Sequence, residues 1–220
     1  MITFQNVSKY YESETILRNI SFSAQKGEML FITGPTGAGK STLLKLLYLS
    51  EYPDEGDIVI GDFHLASLKP SWIPLLRRNI GVVFQDFKLI NNLSVFDNVA
   101  LALRVKGRSE RDIKDAVFDA LKKVHLRQKA NSYPRKLSGG EMQRAAIARA
   151  IVSEPLFILA DEPTGNLDSN TTVDIMRLFL DINIQGTTIL IATHNRELFR
   201  HSGKRVLRLD RGVMTEEGGG

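Results

Sequence analysis

Residues 34–41 read Gly34-Pro35-Thr36-Gly37-Ala38-Gly39-Lys40-Ser41, the spacing G-x-x-x-x-G-K-[ST] of a phosphate-binding P-loop. The β- and γ-phosphates of a nucleotide concentrate negative charge, and backbone N–H groups satisfy it best when the chain wraps closely. Glycines allow that approach and the positive φ angles it requires. The loop feeds a helix starting near Ser41 and Thr42, whose first N–H groups lack intrahelical partners and whose dipole favours an anion. Lys40 adds a full positive charge, and the Ser41 hydroxyl is a hard oxygen donor suited to Mg2+. An unrelated glycine-rich turn would not need this lysine and hydroxyl at this spacing.

The flanking sequence agrees with a strand, loop and helix in that order. Met29-Leu30-Phe31-Ile32 is a short apolar run leading into the loop, and Ser41–Leu47 continues as a helix. Residues 1–7 and 20–25 alternate apolar with polar, as half-buried strands do. Further along, Gly81-Val82-Val83-Phe84, Leu156-Phe157-Ile158-Leu159-Ala160 and Thr188-Ile189-Leu190-Ile191-Ala192 read as buried strands, with a helical pattern over 168–184. Buried strands separated by helices predict an α/β protein with a mainly parallel sheet covered on both faces. From about 86 to 150 the character turns helical. Ser109-Glu110-Arg111-Asp112 has capping-box spacing, and Ile113, Val117, Leu121 and Val124 fall on one helical face. We therefore expect a single domain over 1–220, with a core over 1–85 and 151–220 and a helical insertion over 86–150. Gly218-Gly219-Gly220 reads as a frayed tail.

Composition narrows the function classes. With 220 residues, 43% of them apolar, the chain has material for a sizeable core. A net charge of +4 is mild, and is too small to indicate nucleic-acid binding. Having no cysteine, the chain excludes disulfides, thiolate metal sites and a thiol nucleophile. No segment approaches the roughly 20 apolar residues needed to span a bilayer. Residues 1–10 read as a strand rather than a signal peptide, so the expected location is cytoplasmic.

Two carboxylates end the strand 156–160, at Asp161-Glu162. In open parallel sheets, ligands bind at the carboxyl ends of the strands. Beside a P-loop, Asp161 is expected in the Mg2+ shell and Glu162 is placed to polarise the attacking water. His194 follows the strand 188–192, and Gln85 follows Val82-Val83-Phe84. Taken alone, neither is diagnostic: an incidental histidine and an ordinary turn glutamine would look the same. Leu137-Ser138-Gly139-Gly140-Glu141 opens a helix read over 142–153. A hydroxyl and exposed N–H groups at a helix start make a second anion receptor. One triphosphate already occupies the P-loop, so the second receptor predicts a homodimer that closes head to tail over two ATP molecules.

On these residues the chain resembles the nucleotide-binding subunits of ATP-binding cassette (ABC) proteins over essentially its whole length. Leu137–Glu141 is similar to the family's signature, and it stands between the P-loop and Asp161-Glu162 as the family's order requires. The resemblance implies a P-loop NTPase core of ABC type, an N-terminal antiparallel β subdomain and an inserted helical subdomain. It implies ATP and Mg2+ as cofactors, with hydrolysis of ATP to ADP and phosphate. Catalytic roles fall on Lys40, Glu162 and His194, and Mg2+ contacts on Ser41, Gln85 and Asp161. Nucleotide contacts fall on Tyr11, on Gly34 through Thr42, on Gln85, and on Ser138, Gly139, Gly140 and Glu141. Tyr11 stands where the family stacks an aromatic on adenine, with neighbouring Tyr10 as a competitor. Asn166-Leu167-Asp168 looks like the family's D-loop, and Met142 departs from the polar residue common after the signature glutamate.

Within the family, Thr33–Ser41, Arg77–Phe87 and Ala160–Asp168 resemble the cell-division branch of FtsE type. That resemblance implies an integral membrane partner of FtsX type, a peripheral place on the inner face of the membrane, and no nucleic-acid partner. Lipoprotein-release and macrolide-export ATPases share the last stretch and stand as alternatives, as does an ATP-gated module without hydrolysis. Between Arg104 and Lys129, nine Lys/Arg accompany four Asp/Glu, which suits a solvated helical face or contact with lipid headgroups.

Overall fold

Strand β1 (Ile2–Tyr11) pairs antiparallel with β2 (Glu14–Ala24), and Phe4 stacks on its cross-strand partner Phe22 with ring centroids 4.6 Å apart. This computed structural model describes residues 1–12, 14–200 and 202–217, so the expected Gly218–Gly220 tail lies outside the described residues. The chain forms two compact units, Met1–Arg77 with Gly186–Gly220, and Arg78–Gln185.

In the first unit, β4 (Glu55–Ile60) and β5 (Phe63–His64) extend the antiparallel sheet in the order β2-β1-β4-β5. A second set of strands is mainly parallel. Here β3 (Met29–Thr33) lies between β8 (Thr188–Thr193) and β9 (Arg205–Asp210), and β10 (Val213–Glu217) returns antiparallel to β9. Every residue of β3 and β8 is buried, as a strand covered on both faces must be, which is why both read as continuous apolar runs. Helix α1 (Lys40–Leu47) follows β3 and buries Leu43, Leu44, Leu46 and Leu47.

Four strands, β4, β5, β9 and β10, escaped the sequence reading, and β2 starts before its alternating stretch. Beyond Phe4 the β1–β2 register shifts between Phe4 and Val7, Val7 and Lys9, and Lys9 and Tyr10. Val7, Ser8 and Lys9 are consequently buried in succession, which erases the two-residue alternation that marks a strand. Strands β4, β9 and β10 carry glycine or charged residues among their apolar ones, and their strand character comes from pairing rather than from pattern.

Helix α2 (Ile73–Arg78) ends where the first unit gives way to the second. In the second unit β6 (Ile80–Val83) runs parallel to β7 (Phe157–Asp161). Four helices accompany them: α3 (Val95–Val105), α4 (Glu110–Lys123), α5 (Gly139–Ile151) and α6 (Ser169–Ile184). The stripe Ile113, Val117, Leu121 and Val124 is fully buried, as its spacing predicts. Helix α5 starts at Gly139, earlier than the reading from Met142, because Ser138 caps it and holds two glycines in helical conformation. Residues 86–94, read as helical, form none. Among the described residues, no helix is long and apolar enough to cross a membrane.

Candidate functional site

The P-loop is fixed by backbone crowding on both sides. Gly34 has φ +146°, and a Cβ there would stand 2.0 Å from the Leu209 carbonyl oxygen of β9. Gly39, the N-cap of α1, has φ +99° and ψ +7°, and its Cβ would come within 3.0 Å of Leu17 Cδ2 and 3.1 Å of the Ile16 carbonyl oxygen. Only a residue without a side chain passes between β9 on one side and β2 on the other. Lys40 is 6% exposed, and its Nζ donates to the carbonyl oxygens of Gly34 at 2.8 Å and Pro35 at 3.0 Å. The ammonium is thus held across the mouth of the loop. Pro35, Thr36, Gly37 and Ser41 are exposed, Ala38 and Thr42 buried.

What distinguishes α1 from the longer helices is its start. No side chain caps it, and its first turn holds no acid. By contrast Ser94, Ser109, Ser138 and Asp168 each accept a backbone N–H at the head of α3, α4, α5 and α6. At its positive end α1 therefore supplies neither a capping side chain nor an acid of its own first turn. His194, just after β8, lines a cavity of about 360 Å3 with Thr33, Gly34, Pro35, Thr36, Arg196 and Arg208. At the far end of the first sheet, Tyr11 is half-buried and Tyr10 is 37% exposed.

The second unit carries the other predicted residues. Asp161 ends β7, and Glu162 follows with φ +44°, a left-handed conformation that costs a non-glycine residue about 1–3 kcal/mol and is concentrated at functional sites. The turn closes with Gly165 N–H donating to the Glu162 carbonyl at 3.0 Å. Asn166 Nδ2 donates to the Gln85 carbonyl at 3.0 Å, and Gln85 Nε2 lies 3.2 Å from where a Gly165 Cβ would be. Gln85 and the Glu162–Asn166 turn are therefore one connected piece.

Beyond Gln85, Phe87 and Lys88 are both left-handed, with φ +60° and +48°. Arg149 of α5 holds them, one guanidinium nitrogen donating to the Phe87 carbonyl at 2.7 Å and another to that of Lys88. Burial pushes the Arg149 guanidinium below its ordinary value. Asn98 is fully buried, accepts the Ile90 N–H at 2.7 Å and donates to the carbonyls of Ile90 and Ser94 at 3.1 and 2.9 Å. These two side chains take over the hydrogen bonding that a segment without helix or strand cannot supply itself.

Ser138 and Glu141 form a reciprocal capping box: Glu141 N–H donates to Ser138 Oγ at 3.2 Å, and Ser138 N–H to the Glu141 carboxylate at 2.9 Å. That bond, together with Lys129 at 3.3 Å, holds the Glu141 carboxyl below the usual range. Gly139 and Gly140 contribute the N–H groups that the box leaves out. Their lack of side chains has a packing reason too, since a Cβ on Gly140 would meet Thr171 Cγ2 at 2.6 Å. Thr171 in turn bonds Asp168, its N–H at 3.0 Å and its hydroxyl at 2.6 Å. Those bonds lower the Asp168 carboxyl.

With this geometry in place, a model of the ABC transporter family matches residues 17–165. The chain belongs to the ABC transporter family. It is 47% identical over 211 residues to the cell division ATP-binding protein FtsE of Streptococcus pneumoniae D39, covering 96% of this chain and 92% of that one. FtsE of Bacillus subtilis 168 is 45% identical over 218 residues, with 99% and 96% covered, and FtsE of Escherichia coli K12 is 47% identical over 215 residues, with 97% of each covered. Among solved structures, the ATP-binding cassette MJ0796, in a dimeric post-hydrolysis state bound to ADP and Pi, superposes with a TM-score of 0.89. It is 37% identical, with 99% of this chain and 98% of that chain covered. This chain is accordingly an ABC-type ATPase.

Two residues that hold the segment after Gln85 had no signal in the sequence reading. Arg149 sits in the last turn of α5 between two alanines, and Asn98 follows Asp97 in the first turn of α3, so nothing local marks either as a partner of that segment. Asp168 was legible only as part of a D-loop resemblance; as an acid just before a helical run it also carries the ordinary N-cap signature, and the structure puts it there.

Proposed function

We propose that this ABC ATPase is the energy-supplying subunit of a cell-division complex, working as a homodimer beneath an integral membrane partner of FtsX type to regulate cell-wall hydrolysis. The observation that carries the nucleotide chemistry is the start of α1: a helix N-terminus with no side-chain cap and no acid in its first turn, bordered by Lys40 and close-packed glycines. The division role rests on the near-complete coverage and 45–47% identity shared with FtsE proteins of three bacteria.

In this reading the amides of Gly37 to Ser41 and the Lys40 ammonium bind the β- and γ-phosphates, and Tyr11 stacks on the base. Ser41, Gln85 and Asp161 offer a hydroxyl, an amide carbonyl and a carboxylate, a set of hard oxygen donors that suits Mg2+. The ion supplies charge neutralisation at the phosphates when bound. Glu162 accepts a proton from the attacking water, and His194 hydrogen-bonds the γ-phosphate oxygen. Ser138 of a second copy, with Gly139 and Gly140, completes the grip on each triphosphate. The cassette MJ0796, described as dimeric, supports a dimer for this chain as well.

Phosphate release by Glu162→Gln, measured beside the native protein, tests the hydrolytic assignment: release should fall by at least about 100-fold while ATP still binds. Equal release from the two proteins overturns it. Ser138→Arg should leave ATP binding by the monomer intact yet abolish ATP-dependent dimers in size-exclusion chromatography. Normal dimerisation of that variant contradicts the composite site. Capture of ribosomes or DNA in place of an FtsX-type membrane protein overturns the division role.

A further inference from the structure

The end of β1 that carries Tyr10 and Tyr11 is organised by an ion pair, between a buried lysine and an exposed aspartate, that the phosphate chemistry does not use. Lys9 is 9% exposed, and its Nζ lies 3.3 Å from Asp54 Oδ1 and 3.2 Å from Oδ2. Asp54 also accepts the Tyr10 N–H at 2.7 Å, while its own N–H donates to the Ser8 carbonyl at 3.0 Å. The Tyr10 bond, followed by the Lys9 contacts, holds the Asp54 carboxyl below its usual range. The same Lys9 ammonium stands over the Tyr11 ring, 5.5 Å from its centroid.

This arrangement coincides with the place where strand pairing loses control of side-chain direction. The β1–β2 register shifts on both sides of Lys9, between Val7 and Lys9 and between Lys9 and Tyr10. A regular strand would aim successive side chains to alternate faces; after a shift, something else must do the aiming. Burying a lysine is expensive, and an apolar residue would fill the same space without that cost. The ammonium is held here by Asp54, from a separate segment, and is directed at one face of one aromatic ring.

The hairpin also abuts the phosphate cradle. Leu17, the cross-strand partner of Lys9, and Ile16 are the residues that would touch a Cβ on Gly39. Tyr11 pairs with Glu14, two residues from Ile16, or about 7 Å along the strand. Tyr11 is thus carried on the hairpin that packs against the loop just before Lys40.

We propose that Lys9 and Asp54 are positioning residues that fix Tyr11 as the stacking surface for a purine base, so that the site prefers a nucleotide to a bare polyphosphate. The proposal rests on the reading of Tyr11 as the base-stacking residue. Asp54 anchors the ammonium and the Tyr10 backbone; the ammonium holds one ring face by a cation–π contact, leaving the opposite face for the base.

The test uses the full chain with two ligands that are not hydrolysed to product, ADP and inorganic pyrophosphate, each titrated calorimetrically in the presence of Mg2+. Lys9→Met and Asp54→Asn should each weaken ADP about threefold or more, the scale of a lost cation–π contact, and leave pyrophosphate affinity unchanged. Asp54→Asn keeps an oxygen to accept the Tyr10 N–H, so it remains informative where Lys9→Met fails to fold. In a Tyr11→Ala background, Asp54→Asn should cause no further loss, because both changes remove the same contact. Equal weakening of ADP and pyrophosphate, or full additivity with Tyr11→Ala, overturns the proposal while leaving Tyr11 as the stacking residue. Unchanged ADP affinity in Tyr11→Ala itself removes the stacking reading and the proposal together.

Discussion

Two glycines of the phosphate loop are predicted to differ sharply in their tolerance of a single methyl group. Gly34 and Gly37 both occupy positive φ, at +146° and +82°, so alanine at either is strained by about 1–3 kcal/mol. At Gly37 nothing lies within 4 Å of the new Cβ, and strain is the whole cost. At Gly34 the Cβ would stand 2.0 Å from the backbone oxygen of Leu209, so the loop or β9 must give by about 1 Å. Overpacking of that kind adds about 1–3 kcal/mol, for a total of about 2–6 kcal/mol. Each kcal/mol lowers the melting temperature of a chain this size by about 2–4 °C. Thermal unfolding followed by circular dichroism, in the absence of nucleotide so that binding does not add stability, reads the difference directly. Gly34→Ala should melt well below Gly37→Ala, and Gly37→Ala below the native protein. A Gly34→Ala protein that melts at or above Gly37→Ala refutes the account of the loop as one wedged against β9.

Lys40→Ala removes a charged donor from the phosphates, a loss of about 1.5–3 kcal/mol or about 10–100-fold in ADP affinity by calorimetry; undiminished binding contradicts the role given to the lysine. Glu141 has a folded-state pKa below its unfolded value, so its stabilising contribution is complete above about pH 5 and is lost as pH falls through the lowered value. Acid unfolding of Glu141→Gln should therefore lose less stability between neutral and acid pH than the native protein, and an unchanged pH profile counts against the capping box as the source.

Legibility from sequence followed the range of the forces involved. The strip from Met29 to Leu47 could be read because apolar strand, glycine turn and helix are each specified by neighbours in the chain. The acids at the end of β7 could be read because a strand end is a local event. In strand β1 the alternation stops at residue 7 because its register shifts place Val7, Ser8 and Lys9 all in the interior. Helix α5 was started late because glycine is a poor helix former, and the Ser138–Glu141 box that overrides this preference is a geometric fact. Arg149 could not be assigned at all: its partners, the carbonyls of Phe87 and Lys88, lie 61 and 62 residues away and carry no side-chain signature.

By itself, then, the sequence determined the chemistry: which residue types stand at the phosphate loop, the strand-end carboxylates and the serine-glycine helix start, and hence an ABC ATPase. These depend on backbone conformations and helix ends that a few consecutive residues dictate. Only the tertiary structure decided how the supporting residues are used, from Gly34 wedged against Leu209 to Lys9 held by Asp54 against Tyr11. Such contacts join distant segments, and their energies depend on which surfaces folding brings within a few ångströms of each other.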